Sequence, residues 1–305
     1  MLKAAERQTK ACWRHVNRNL EIAPSTSVEL LLSDQSVELS LSSFGMFCWG
    51  DASRGQLLLP AAEGHYLPKP TFISIITEPV VGVSCGENHS LIVAENGRVF
   101  SCGRNSKGQL GRAKSKDTKQ PGIIEGLGGV AAVACGQEHS LALCDSGQVF
   151  SWGQNSYGQL GLGKSVPLQP VPAVIPALIG VPVIQISAGG EHTLALSCSG
   201  QVFCCGANSA GQLGLNRTDE KVCAVPALRR LPVAYISCGA AHTAVLTKDG
   251  EVYTFGDGAH GQLGHSSTSR ELLPRKVEDI DGPAKQVTCG RKKCYLNCYL
   301  CYYFF

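Results

Sequence analysis

The sequence of 305 residues is poor in charged, aromatic and methionine side chains. Charged residues make up 17%, aromatic residues 7%, and methionine occurs only twice. No apolar run approaches the ~20 residues that a membrane-spanning helix needs, so we expect no membrane span. The N-terminus lacks the apolar segment of a secretory signal peptide. With 44% hydrophobic residues and a net charge of +3, the composition argues against an intrinsically disordered chain.

Glycine and cysteine, by contrast, are abundant, at 35 and 15 residues. Many glycines together with short apolar runs favour short strands joined by turns, which indicates an all-β fold. The odd number of cysteines, most of them inside strand-like segments, is typical of buried reduced thiols rather than of a disulfide framework. We therefore expect a cytoplasmic protein, with the nucleus as the alternative.

The positive charge is concentrated at the two ends of the chain. Residues 1–20 carry a net +4 and residues 291–293 add +3, so the long stretch between them is mildly acidic. An acidic body argues against nucleic acid as a partner. The basic residues near the N-terminus have helical spacing, which leaves a mitochondrial transit peptide as a less favoured alternative to a solvated extension.

Internal repetition is the dominant signal in this sequence. The tripeptide Gly-Gln-Leu recurs at intervals of 50 or 53 residues, beginning at Gly55, Gly108, Gly158, Gly211 and Gly261. A histidine recurs with the same intervals, at His89, His139, His192 and His242. A small residue followed by glycine precedes each histidine by three or four positions. These landmarks stay in phase, so the chain is a series of units of about 50 residues.

Residues 83–111 show how one unit folds. Short strands are predicted at 83–85, 89–93 and 99–102, and Asn96-Gly97 is a hairpin turn signal because both residues tolerate a positive φ. A fourth strand must lie in the proline-rich linkers, where proline restricts it to a sheet edge. A four-stranded unit of this length is typical of a β-propeller blade, whereas the coils of the rival fold, a parallel β-solenoid, are shorter.

The repeated residues resemble a known family. The spacing of Cys-Gly, His, Gly, Val-Phe and Gly-Gln-Leu-Gly in 83–111 resembles the repeat of the regulator of chromosome condensation. The segments QISAGGEHTLALSCSGQVF (185–203) and YISCGAAHTAVLTKDGEVYTFG (235–256) resemble most the repeats of the HERC ubiquitin ligases. The segment MFCWG (46–50) also resembles the place where the repeats of those proteins begin.

The resemblance implies a seven-bladed propeller that precedes a HECT catalytic domain. The sequence offers four full units, a half unit at 46–58 and a broken unit from 285, about five blades' worth, so we expect an incomplete ring and a truncated product without a HECT domain. Missing blades or another chain would complete the ring. We divide the chain into an extension that is disordered or forms one strand (1–45), the blades (46–290) and a divergent Cys/Tyr-rich tail (291–305).

The repeated polar residues are interpreted as structural. A residue that recurs once in every blade is expected to stabilise that blade. We therefore expect each imidazole to bond to backbone within its own blade and each Gln amide to bond to backbone groups of its own loop. These positions are His89, His139, His192, His242, Gly108, Gln109, Gly158, Gln159, Gly211, Gln212, Gly261 and Gln262.

No catalytic, cofactor or metal site is predicted. The string Gly158 to Ser165 matches a phosphate-binding loop, but prolines follow where that loop needs a helix. Four cysteines, at 289, 294, 298 and 301, could ligate zinc, but they lack the paired C-x-x-C spacing, and a poorly folded tail is the favoured alternative.

Function is expected where the units differ. A basic loop is the candidate partner site, formed by Arg112, Lys114, Lys116 and Lys119. The resemblance implies a non-catalytic scaffold for protein–protein interaction, the partner-recognition part of a HERC-like E3 ubiquitin ligase. Its partners would be ubiquitination substrates. The alternative is a guanine-nucleotide exchange factor or regulator whose partner is a small GTPase.

Overall fold

A computed structural model describes residues 38–42, 45–58, 66–113, 116–163, 165–216, 221–278, 280–298 and 302–304. Over these residues the chain forms antiparallel strands and two short 3-10 helices, Pro176–Leu178 and Pro226–Leu228. Neither helix in this part of the chain is long and apolar enough to cross a membrane.

The strands form six sheets that follow one another along the sequence. The first sheet contains β1 (Glu38–Ser42), β2 (Gly45–Asp51) and β3 (Tyr66–Ile73). The second contains β4 (Val80–Cys85), β5 (His89–Ala94), β6 (Val99–Gly103) and β7 (Thr118–Ile123). The third contains β8 (Val130–Cys135), β9 (His139–Cys144), β10 (Val149–Gln154) and β11 (Leu168–Val174).

The remaining sheets repeat the same order. The fourth contains β12 (Val183–Ala188), β13 (His192–Ser197), β14 (Val202–Gly206) and β15 (Cys223–Ala224). The fifth contains β16 (Val233–Cys238), β17 (His242–Thr247), β18 (Val252–Gly256) and β19 (Glu271–Lys276). The sixth contains β20 (Ala284–Cys289), β21 (Cys294–Cys298) and β22 (Tyr302–Phe304). The all-β expectation and the four-stranded antiparallel unit are therefore confirmed.

The sheets fall into two compact units along the chain. One unit comprises Met1–Gln154 with Leu168–Ile184, and the other comprises Asn155–Pro167 with Gln185–Phe305. In the first unit, buried side chains of neighbouring sheets interlock, among them Cys48, Ile92, Leu91 and Trp152. In the second unit, a similar core lies between the fifth and sixth sheets and includes Val252 and Leu296.

Burial differs between the strands of one sheet for a simple reason. Every residue of β5, β9, β13 and β17 is buried, because these second strands have a neighbouring strand on each side and lie within the packed sheets. The apolar residues of these strands are therefore consecutive, as in Leu91 to Ala94, and do not alternate with polar residues. The outer strands β7, β11 and β19 are more exposed and contain the prolines that a sheet edge tolerates.

The structure extends the repeat at both ends of the predicted range. The unit expected as a half at 46–58 is preceded by β1 and forms three strands. The segment after residue 290, expected as a divergent tail without a hairpin, contains β21 and β22. Cys294, Leu296 and Cys298 are buried while Tyr295 and Asn297 are not, so β21 has the period-2 pattern of a strand. The expectation of a poorly folded tail was therefore wrong for residues 291–298 and 302–304, the part of the tail that the structure describes.

Gly153 is required at the end of β10. Its φ is +104°, and an added Cβ would lie 2.5 Å from the carbonyl oxygen of Glu138. We expect Gly153→Ala to lower the free energy of unfolding by about 2 kcal/mol or more, because backbone must move and the conformation is strained. Urea unfolding measures this change. Gly128→Ala is the matched control, since nothing lies within 4 Å of a Cβ there. Equal stability of the two variants would contradict the assigned backbone.

Candidate functional site

The repeated histidines bond to hydroxyl groups of the following sheet. His89 Nε2 lies 2.9 Å from Ser140 Oγ, and His192 Nε2 lies 3.1 Å from Thr243 Oγ1. Both imidazoles are fully buried. The expectation that each imidazole bonds to backbone within its own blade was wrong about the partner, since these bonds join neighbouring sheets.

The histidine, the hydroxyl and a Gln main-chain carbonyl form a chain of hydrogen bonds, called here the His–hydroxyl–Gln bridge. Its proton positions follow from the acceptors. Ser140 Oγ lies 2.8 Å from the carbonyl oxygen of Gln109, and Thr243 Oγ1 lies 2.8 Å from that of Gln212. A carbonyl oxygen cannot donate, so each hydroxyl gives its one proton to the Gln carbonyl. The hydroxyl oxygen must then accept a proton from His Nε2. Each of these two imidazoles therefore carries a proton on Nε2, as the neutral Nε2–H tautomer does.

Burial agrees with that protonation state. It lowers the pKa of His89 to about 3 and that of His139 to about 4, because a charged imidazole would lose its hydration. Neutral imidazoles could ligate a metal, but among the residues that the structure describes no three His, Cys, Asp or Glu side chains converge for that purpose. His89 and His192 thus join neighbouring sheets.

The Gly-Gln-Leu loops have one internal hydrogen bond in common. In each loop the Gln side-chain oxygen accepts a backbone N–H from two residues earlier, at 2.8–3.0 Å, in Gln56, Gln109, Gln159, Gln212 and Gln262. The following Leu side chain is fully buried in all five loops. The main-chain carbonyl of Gln109 also accepts the indole N–H of Trp152 at 2.8 Å. The Gln residues thus hold both their own loop and the next sheet.

The last bridge is altered. Cys294 occupies the position of Ser140 and Thr243, and His242 Nε2 makes no comparable hydrogen bond. A thiol is a weak acceptor and donor, so this junction relies on apolar packing of Cys289, Cys294 and Leu296 instead.

Cysteine chemistry is suppressed in most of the fold. Burial raises the pKa of Cys205 and of Cys238 to about 12, and that of Cys144 to about 11. The thiolate is the reactive form, so these buried thiols are poor nucleophiles. Among the thirteen described cysteines, only Cys198 and Cys223 are partly exposed.

The model of the RCC1-like domain matches residues 28–296. The chain belongs to the RCC1-like domain family. The human probable E3 ubiquitin-protein ligase HERC6 is 45% identical over 215 residues, which are 67% of this chain and 21% of HERC6. The chain thus spans about a fifth of the length of this relative.

Solved structures match the fold. The crystal structure of human WBSCR16 matches with a TM-score of 0.76 at 27% identity, covering 86% of this chain and 70% of that one. Prp20p from Saccharomyces cerevisiae, described with its binding to Gsp1p and histones, matches with a TM-score of 0.73 at 23% identity. That match covers 84% of this chain and 65% of Prp20p. The sheets in series thus match the RCC1 propeller structures, as the sequence resemblance implied.

The proposed basic loop of this RCC1-like domain divides into two kinds of residue. Arg112 donates from its guanidinium to the Oγ and the carbonyl oxygen of Ser101, each at 3.2 Å, and burial lowers its pKa. Arg112 thus supports its own sheet. Lys116 and Lys119 are exposed. Lys114 lies outside the described residues.

A different surface was missed in the sequence. The turns that join the first and second strands of the sheets differ in charge, although their flanking residues repeat. Gln137 Nε2 donates to Glu87 Oε2 at 2.9 Å, so the turns of the second and third sheets lie side by side. In the second unit, the N–H of Ala240 donates to the carbonyl of Arg291 at 3.1 Å. Aligning the repeats and comparing the residues before each histidine would have found these turns.

The string 158–165 is not followed by a helix. The segment that follows it forms the strand β11 (Leu168–Val174), whereas a phosphate-binding loop of that type precedes a helix.

Acid should destabilise the domain through its buried histidines. The pKa of His89 is about 3 in the folded chain and about 6.5 when unfolded. The unfolded state therefore binds more protons between these values, and stability falls as the pH drops below 6.5. We expect a loss of about 1.4 kcal/mol per pH unit for each such histidine. Urea unfolding at pH 7 and pH 5 measures it, with His89→Gln as the less acid-sensitive variant. Equal stability at both pH values in the parent would contradict the burial.

Charge reversal should separate Arg112 from the exposed lysines. Arg112→Glu places a carboxylate against the oxygens of Ser101 and should lower the melting temperature by several degrees. Lys116→Glu, the matched control in the same loop, should leave it within about a degree, because exposed charges contribute little. Thermal melts of the two variants make the comparison. Equal melting temperatures would mean that Arg112 is as dispensable as Lys116.

Proposed function

We propose that this RCC1-like domain is a non-catalytic protein-interaction scaffold that recognises partners for a HERC-like E3 ubiquitin ligase. Membership of the family and 45% identity to HERC6 support the proposal. The activity in the name of HERC6 is that of a protein about five times as long as the matched region. A reducing, cytoplasmic location is part of the proposal, in keeping with the many buried thiols.

The observation that carries the proposal is the contrast between repeated and variable polar residues. The His–hydroxyl–Gln bridges use the repeated side chains inside the fold. The turns between first and second strands keep the same backbone while their side chains change. In the first unit these turns contain Glu87, Gln137 and Glu138. In the second unit one turn contains Glu191, and the last turn contains the exposed residues 291–293.

The basic turn in residues 291–293 is the strongest candidate for partner contact in the second unit. Arg291, Lys292 and Lys293 are all exposed, and Lys293 stands where four other repeats have a buried histidine. The N–H of Gly290 donates to the carbonyl of Lys293 at 2.9 Å, which holds the turn in one conformation. Exposed charges on a fixed turn contribute little to folding but can steer an acidic partner surface.

The test is a double charge reversal on that turn. Lys292→Glu with Lys293→Glu should weaken proximity labelling and co-purification of bound proteins in cells, more strongly when lysates are prepared at low salt. Arg229→Glu with Arg230→Glu is the matched control, since both residues are exposed in the same unit away from the turn. Equal partner sets for the two variants, with equal melting temperatures, would contradict the assignment of this turn.

Two activity assays separate the proposed scaffold from its alternatives. With E1, E2 and ubiquitin, the chain should form no thiol-sensitive ubiquitin adduct. With a small GTPase carrying a fluorescent guanine nucleotide, it should leave the release rate unchanged. A faster release would favour the exchange-factor alternative, and a ubiquitin thioester lost on mutating one cysteine would overturn the non-catalytic proposal.

A further inference from the structure

Two cysteines face each other across the outer edge of the fourth sheet. Cys204 on β14 is the register partner of Cys223 on β15. Their sulfur atoms are 3.9 Å apart, and no disulfide joins them.

The repeat does not account for this pair. The position of Cys204 holds a hydroxyl in three other sheets, and the Ser101 and Thr254 hydroxyls there donate to the carbonyls of Leu110 and Leu263. The equivalent register pairs are Cys48 with Thr71, Ser101 with Gly122, Ser151 with Ala173 and Thr254 with Arg275. Cysteine faces cysteine at this position in the fourth sheet alone among the described pairs.

The backbone geometry suits a disulfide. Directly opposite residues of antiparallel strands have Cα atoms about 4.5–5.5 Å apart, within the range of about 4.4–6.8 Å that disulfides use. To form the bond, the sulfurs must approach from 3.9 Å to about 2.05 Å. β15 has only two residues, so its edge position leaves room for this adjustment.

Access distinguishes this pair from a second thiol pair. Cys289 and Cys294 are also register partners, with sulfurs 4.0 Å apart, but both are buried. Cys223 is partly exposed, whereas Cys204 is buried behind it. Of these four cysteines Cys223 is the one with exposed surface, so an oxidant in solution would meet it first.

We propose that Cys204 and Cys223 are a redox modification site, which forms a reversible disulfide by exchange with glutathione disulfide. The Cys223 thiolate attacks one sulfur of glutathione disulfide, which breaks its S–S bond and releases one glutathione thiolate that takes up the proton lost by Cys223. The Cys204 thiolate then attacks the Cys223 sulfur and releases the second glutathione, which takes up the proton of Cys204. The protein dithiol is oxidised by two electrons and glutathione disulfide is reduced to two thiols.

The disulfide would stabilise the short edge strand β15. It links the two-residue strand β15 to β14 and closes the loop that contains Gly211, Gln212 and Leu213. Closing a loop restricts the unfolded chain, so the oxidised protein should melt at a higher temperature.

The test incubates the full chain with glutathione disulfide and then blocks the remaining thiols. We expect a product with two fewer titratable thiols after denaturation, no retained glutathione, a melting temperature raised by a few degrees and full reversal by dithiothreitol. Peptide mapping should join the peptides that contain residues 204 and 223. Cys204→Ser should instead retain glutathione on Cys223. Cys205→Ser and Cys294→Ser are the controls and should oxidise like the parent.

Three results would overturn the proposal. In the first, the parent protein keeps both thiols reduced, although the same ratio of oxidised to reduced glutathione oxidises a dithiol peptide. Another is stable glutathionylation of Cys223 without closure. The third is closure that survives in Cys204→Ser but is lost in Cys205→Ser or Cys294→Ser, which would assign the disulfide to a different pair.

Discussion

Two pairs of neighbouring sheets are joined through a buried hydroxyl that has one proton and two partners. Ser140 accepts from His89 and donates to the Gln109 carbonyl, so one side chain holds two separate segments of the preceding repeat. Thr243 does the same with His192 and Gln212. Because buried polar groups need partners, the histidine, the hydroxyl and the Gln carbonyl stabilise one another in these two bridges, which is why their residues recur with the same spacing.

The same requirement explains what the sequence could predict. The period, the glycine turn at Gly97 and the all-β fold followed directly from repeated residues. The partner of His89 did not, because it lies 51 positions away and a local pattern carries no information on contacts between repeats. β21 was missed because residues 291–305 lack the repeated histidine and Gly-Gln-Leu, and its alternation of buried and less buried residues is visible only in the structure. The structural role of Arg112 could not be recognised in the sequence, because the sequence does not show that its side chain contacts Ser101.

Where the bridge is absent or altered, the chain has residues that the RCC1-like repeat does not require. Lys293 replaces the buried histidine with an exposed cation, and Cys294 replaces the hydroxyl with a thiol. Cys204 similarly replaces a hydroxyl that, in the second and fifth sheets, donates to a main-chain carbonyl of the Gly-Gln-Leu loop. The repeated polar residues thus stabilise the sheets. The residues that depart from the repeat provide the exposed charges and the thiols that are proposed here to take part in binding and oxidation.

The central claim is that the histidine and the hydroxyl act as a coupled pair. A double-mutant cycle on His89 and Ser140 tests it most directly, with His89→Ala, Ser140→Ala and the double variant unfolded in urea at pH 7. Each single change should destabilise the domain, and the double variant should be more stable than their sum by about 1 kcal/mol or more, because the shared hydrogen bond is lost only once. Additivity within about 0.3 kcal/mol would show that the two side chains stabilise the fold independently and would contradict the bridge.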